Sequence, residues 1–264
     1  MTEGAVPHRV GLIVPSSNVT IETELPRLLA GHAAAVAKSF SFHSSRAVLH
    51  RVDPGSLRAM VGEVDRSASE LADARVDVVA YGCLIALMTG GAGAHEAAEE
   101  RIAATLSAGG CDAPVTSSAG ALVRCLQRLG AERISIITPY MRPLTAVVVE
   151  YLRAYGIDVI SSMSLEVDDN VAVGRLDPSR LPALAERLEI GRSDAVVLSA
   201  CVQMPSLPVI QEAENRLGRP VLSAATATAG EILSALGEQA VVDGAGAALS
   251  ARAAAGASTT ARSG

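Results

Sequence analysis

Three short blocks recur in the same order in the two halves of the chain, and this repeat limits the fold more than any other feature. Arg9–Pro15 (RVGLIVP) matches Arg133–Pro139 (RISIITP), and Val76–Cys83 (VDVVAYGC) matches Asp194–Cys201 (DAVVLSAC). Pro114–Gly130 (PVTSSAGALVRCLQRLG) matches Pro220–Gly237 (PVLSAATATAGEILSALG). The runs 9–14, 76–81, 134–137, 157–160 and 195–198 are continuous and β-branched, so they read as strands buried on both faces. Amphipathic stretches at 57–74, 94–106 and 144–155 read as helices between them. The expected fold is α/β: two pseudosymmetric doubly wound domains, each with a mainly parallel sheet, and the active site in the cleft between them. The expected boundaries are 1–118 for the first domain, completed by about 225–246, and 119–224 for the second. The Ala/Gly/Ser-rich segment 247–264 reads as a disordered tail whose first turns could be helical.

Composition removes several function classes. Apolar residues make up 49% of the 264, which excludes a disordered chain, but aromatics are only 2%, with no Trp. No stacking platform for single-stranded nucleic acid can be built from so few rings. The net charge is -6 and no basic stripe exists, so a nucleic-acid partner is not expected. Lys38 is the only lysine, and its VAKSFSF surroundings suit neither a Schiff base nor a phosphate loop. No run of 18 apolar residues and no signal-peptide pattern is present, so the expectation is a cytoplasmic protein off the membrane, with reduced cysteines. Cys83, Cys111, Cys125 and Cys201 form no CxxC pair, and His8, His32, His43, His50 and His95 show no metal or triad spacing. No GxGxxG follows a strand, so neither a metal nor a nucleotide cofactor is expected.

A few segments remain for chemistry. Pro15-Ser16-Ser17-Asn18-Val19-Thr20 ends the first strand, with Glu22 and Glu24 just beyond. It is either a helix N-cap or a neutral anion site of hydroxyls, amide and helix N–H groups. Cys83 and Cys201 end matched strands, where unpaired N–H groups would favour a thiolate. A lone cysteine would be a small buried residue, but two at equivalent places of a repeat point to a working pair. Cys111, in a polar turn, and Cys125, on a helix at 121–129, are given no role. Tyr140 stands where Ser16 stands in the first half and could donate to an anion or merely line the cleft. Asn170 lies in DDNVAVGRLDP, which also reads as turn chemistry. The segment between His43 and His50, and Gly90–Gly93, read as loops beside the cleft.

The segments GLIVPSSNVTIETELP, YGCLIALM, TPYMRPL, DDNVAVGRLDP and SACVQMPSLP resemble those of bacterial maleate cis-trans isomerases, in the cofactor-independent Asp/Glu racemase superfamily. The resemblance runs from about Arg9 to about Gly246. It implies two pseudosymmetric domains, a homodimer, catalytic Cys83 and Cys201, and carboxylate binding by Asn18, Tyr140 and Asn170. Ser16 and Ser17, with Leu84 and Val202 after the two cysteines, complete the expected substrate site. Arylmalonate decarboxylase is similar in fold but keeps only one of the two cysteines, so the pair here argues against that activity.

The chemistry agrees with the residue types. Turning maleate into fumarate requires rotation about a C=C bond, and adding a thiolate makes that bond single. The expected partner is therefore a small dicarboxylate, with Cys83 adding to carbon and Cys201 moving the proton. Alternatives at this stage are a maleamate isomerase, a two-cysteine racemase of an acidic amino acid, a non-catalytic two-lobed binder and a thiol redox switch.

Overall fold

The order of strands in space explains where the two cysteines must lie. The computed structural model describes residues 7–36, 38–49 and 51–250. In the first half run β1 (His8–Pro15), α1 (Ile21–Val36), β2 (Phe40–Ala47), α2 (Pro54–Gly62), α3 (Val64–Asp73), β3 (Val78–Tyr81), α4 (Leu84–Met88), α5 (Ala94–Ala108), β4 (Val115–Ser117) and α6 (Ser118–Arg128). The second half contains β5 (Arg133–Thr138), α7 (Arg142–Ala154), β6 (Asp158–Ser164), α8 (Asn170–Val173), α9 (Leu181–Ala185), β7 (Ala195–Ser199), α10 (Ile210–Leu217), β8 (Val221–Ser223) and α11 (Ala224–Ala235). Two four-stranded sheets result, ordered β2-β1-β3-β4 and β6-β5-β7-β8, with every neighbour parallel. The repeated blocks thus mark β1 and β5, β3 and β7, and β4–α6 and β8–α11. In each sheet the connection leaves the first strand on one side and then returns on the other. The crevice at that switch point lies beyond the carboxyl ends of the first and third strands. Cys83 follows β3 and Cys201 follows β7.

The central strands are buried on both faces, as continuous apolar runs require. Val10, Leu12, Ile13 and Val14 of β1 are fully buried, as are Ile134, Ile136 and Ile137 of β5. On α1, Ile21, Leu25, Leu28 and Leu29 form an apolar stripe at helical spacing, all buried. Each contributes roughly 1.5–3 kcal/mol by leaving water. Gly82 sets the approach of α1 to the end of β3, because a methyl there would stand 2.7 Å from the Ile21 side chain.

The edge strands differ from the sequence reading. The segment between His43 and His50 was expected as a loop, but its first part, to Ala47, belongs to β2, which is half-buried and paired along its whole length with β1. His43 therefore sits on a strand, while His50 lies outside the described residues. The stretch 57–74 is two helices, because α2 ends and α3 begins at Glu63.

Ser117 caps α6 by accepting from Gly120 N, and Ser223 caps α11 in a reciprocal capping box with Thr226. The two helices pack on each other, and α11 also packs on α1, β3 and β4, so the chain returns to its first half. The expected tail from 247 must be corrected at its start. Ala247, Ala248 and Leu249 form a buried turn against α11 and β8, and 251–264 lie outside the described residues. Gly246 permits this turn: its φ is 74°, and a side chain there would collide with Ile210 and the Val221 carbonyl. Among the described residues no helix is long and apolar enough to cross a membrane.

Candidate active site

The loops after β1, β3, β5 and β7 close around one cavity. Asn18, Cys83, Leu84, Tyr140, Asn170, Cys201 and Val202 all line it, so seven of the nine sequence-predicted residues meet at one place. None of the lining residues carries a charge. The other two, Ser16 and Ser17, are outside the lining. Ser16 Oγ accepts from Leu49 N at 3.0 Å, and Ser17 Oγ donates to Leu49 O while accepting from Asn170 Nδ2 at 2.8 Å. These hydroxyls hold the covering loop that brings Leu49 and Val52 over the cavity.

Both readings of the first segment hold at Asn18. Its Oδ1 caps α1, accepting from Thr20 N at 3.0 Å and Ile21 N at 3.1 Å. The Nδ2 group then remains as a neutral donor on the cavity side. Arg46 braces this loop from outside, donating to the carbonyls of Ser16 and Asn18 at 2.9 Å and pairing with Glu22. Asn170 opens α8, and Asp169 supplies the cap by accepting from Val171 N and Ala172 N. Turn chemistry is thus done by Asp169, and Asn170 is buried in the cleft with one amide hydrogen committed to Ser17 and one uncommitted.

The cysteines differ from expectation in two ways. A thiolate was expected at Cys83, but burial pushes its thiol up to about 12, with the Ala86 N–H pulling back and the nearby Cys201 adding to the rise. The unpaired N–H groups expected at Cys201 are not those of a helix start, because residues 200–204 form a turn and the next helical residues are 207–209. Ser199 Oγ braces that turn, donating to Cys201 O at 2.8 Å and Met204 O at 3.2 Å. Gln203 N donates to the Cys201 sulfur at 3.4 Å, and Tyr140 lines the cavity with it. Burial still raises the Cys201 thiol. It also raises Tyr140 well above the usual phenol range, which keeps that hydroxyl a neutral donor. The cavity therefore holds two thiols, and a charge-free site suits an incoming dianion better than one already holding a thiolate.

Cys111 and Cys125 lie outside the cavity lining. Cys111 Sγ reaches Val76 O at 3.5 Å, and burial pushes Cys125 up to about 12. Among the described residues no three His, Cys, Asp or Glu side chains group as metal ligands.

Sequence reasoning missed Gln203, which ties the two halves together across the cleft. Its Oε1 accepts from Val19 N at 3.0 Å and Thr20 N at 3.3 Å; its Nε2 donates to Ser17 O at 3.0 Å and Asn170 O at 2.9 Å. Gly174 leaves room for that amide, since a methyl there would stand 2.7 Å from Nε2. A signal did exist: the repeat places apolar Ile85 opposite Gln203.

Known proteins resemble this chain over most of its length. A family model described as arylmalonate decarboxylase matches residues 10–249. Maleate isomerase of Geobacillus stearothermophilus is 51% identical over 243 residues, covering 92% of this chain and 97% of the relative. The crystal structure of a Cys-to-Ala mutant of the maleate isomerase Iso from Pseudomonas putida S16, with maleate, superposes with a TM-score of 0.92 at 44% identity, covering 93% and 98% of the two chains. A Cys-to-Ser mutant of the Nocardia farcinica maleate cis-trans isomerase, with a covalently bound succinylcysteine intermediate, has a TM-score of 0.89 at 48% identity and covers 92% and 98%.

Proposed function

Because the chain belongs to the maleate isomerase family, within the group that the arylmalonate decarboxylase model describes, we propose that it converts maleate to fumarate through a succinyl adduct on Cys83. The observation that carries this reading is the pair of buried thiols, Cys83 and Cys201, at matched strand ends facing one uncharged cavity. The Cys83 sulfur bonds one olefinic carbon, and the π electron pair takes a proton from Cys201 at the other carbon. The proton released by Cys83 restores Cys201, so the step is a net addition of thiol across the double bond. Rotation about the new single bond follows. In the reverse sense, Cys201 passes its proton to the departing Cys83 sulfur and takes the C–H proton in its place, the S–C bond breaks, and fumarate leaves with both thiols restored.

Charge builds on the substrate carboxylate as the adjacent carbon gains and loses its proton, so fixed donors at that carboxylate lower the barrier. Asn18 Nδ2, Tyr140 OH and the free hydrogen of Asn170 supply them without adding charge. Leu84 and Val202 offer backbone N–H groups beside the sulfurs; that of Leu84 opens α4 and has no acceptor within the helix. Ser16 and Ser17 act one step back, by holding Asn170 and the covering loop.

The two halves are proposed as domains 1–118, completed by about 225–246, and 119–224, a division that the packing of α11 against α1, β3 and β4 supports. A cytoplasmic, cofactor-independent homodimer completes the proposal. The four free thiols suit a reducing compartment, and a light-scattering mass of one chain would refute the dimer. The reaction is tested by following maleate in proton NMR with the parent protein and Cys83→Ala. Fumarate should appear only with the parent. Equal rates from both would refute the assignment.

A further inference from the structure

A second cavity lies beside the catalytic one, and the two share a wall. It is a groove of about 600 Å³ among α2, α4 and α5 in the first half, a size that suits a small molecule. The chain from β3 into α4 runs between the two spaces. Tyr81 lines the groove, Gly82, Cys83, Leu84 and Ile85 line the catalytic cavity, and Ala86 and Leu87 line the groove again. All five residues of α4 are buried.

The chemistry of the groove differs from that of the catalytic cavity. Its walls are apolar, with Leu57 and Val61 from α2, Leu87 from α4 and Ala97 from α5. The charges that the catalytic cavity lacks stand here, as Arg58 and Arg101. Arg58 is exposed and has no hydrogen bond or ion pair among the described residues. Arg101 places Nε and Nη2 on the two carboxylate oxygens of Asp65, at 2.7 and 2.8 Å, which leaves its Nη1 uncommitted. Tyr81, by contrast, is fully buried, and its hydroxyl has no hydrogen-bond partner among the described residues. A buried hydroxyl without a partner is costly and uncommon, and a phenylalanine would fill the same space without that cost. Two guanidiniums with donors to spare, an unpaired phenol and an apolar trough fit one class of ligand, a carboxylate on an apolar body. Maleate has no such body, so the groove is not a second substrate site.

We propose that this groove binds an apolar monocarboxylic acid, drawn by Arg58, Arg101 and the Tyr81 hydroxyl, and that its occupancy reaches Cys83 through the shared wall of α4. The probe is sodium octanoate, with 1-octanol as the uncharged control, on the full chain without substrate. Saturation-transfer proton NMR and the rise in Tm read binding. Octanol should bind about tenfold more weakly than octanoate. Ala97→Trp, at an exposed position on the groove wall, fills the trough and should abolish binding. Tyr81→Phe should weaken octanoate by about tenfold, yet leave the ligand-free Tm equal to or above the parent's, because it removes an unpaired hydroxyl. Arg58→Ala should weaken it by about the same factor. Iodoacetamide labelling of Cys83, followed by peptide mass spectrometry, reads the other side of the wall. Saturating octanoate should change its rate by about twofold or more in the parent and leave it unchanged in Ala97→Trp. Equal binding of octanol and octanoate, or octanoate binding that survives Ala97→Trp, overturns the proposal. Conversion of a dimer to a monomer by Ala97→Trp makes the groove an interface between copies and overturns it too. Should Ala97→Trp fail to fold, parent-like affinity in both Arg58→Ala and Tyr81→Phe overturns it. Bound octanoate without effect on Cys83 labelling overturns the link through α4. None of these measurements needs turnover, so the isomerase reading stands or falls separately.

Discussion

Gln203→Ala removes a side chain that hydrogen-bonds both halves at four points. The bonds lost are those to Val19 N, Thr20 N, Ser17 O and Asn170 O, spanning 2.9–3.3 Å, and the residue is buried. A typical intramolecular hydrogen bond is worth about 1 kcal/mol net, and a buried group left without a partner costs about 1–3 kcal/mol. Water entering from the adjoining cavity would serve part of the vacated set, which places the total at roughly 3–5 kcal/mol. For a chain of this size that lowers Tm by roughly 10 °C. Turnover should fall as well, because Asn18 and Asn170 are both positioned by the lost contacts. Gly174→Ala offers an internal check. In the parent the new methyl meets Nε2 at 2.7 Å, so the change is destabilising; in Gln203→Ala that contact is gone. A double-mutant cycle by calorimetry should therefore give a coupling of about 1–2 kcal/mol. A Tm drop under about 2 °C for Gln203→Ala, with no coupling to Gly174, would refute the clamp.

Two further outcomes follow from the same geometry. Asn18→Asp retains the oxygen that caps α1 but replaces the free donor by charge. Stability should change by under about 0.5 kcal/mol while kcat/KM for maleate falls on the order of a hundredfold; equal losses in both would show that the cap alone matters. Cys125 and Cys83 are pushed from 9.0 up to about 12, so between those values the unfolded chain has released protons that the fold retains. The stability they confer is complete below pH 9 and is lost as pH rises toward 12. Denaturant midpoints should decline over that window less steeply in Cys125→Ala than in the parent, and identical slopes would contradict the burial argument.

The topology was readable because both halves write the same three blocks, and buried parallel strands cannot disguise themselves as polar. The edges were not. Phe40–Ala47 and the end of Asp158–Ser164 are polar because one side of each meets solvent, so they lack the continuous apolar run that betrayed β1 and β5. Strands β4 and β8, three residues each, are too short to carry a period at all. At the site, the residues that face the cavity were legible as types: thiol, phenol, amide. The acidity of the thiols was not, since their rise comes from burial among residues distant in sequence. Gln203 was missed because it acts on backbone groups about 180 residues away, a pairing no local pattern encodes.

The central claim is that Cys83 forms the covalent adduct and Cys201 moves the proton. Cys201→Ser protein incubated with maleate, digested and examined by mass spectrometry tests it directly. The account predicts a gain of about 116 Da on the peptide that carries Cys83 and on no other cysteine peptide. An unmodified Cys83 peptide, with the parent protein isomerising maleate under the same conditions, would contradict it.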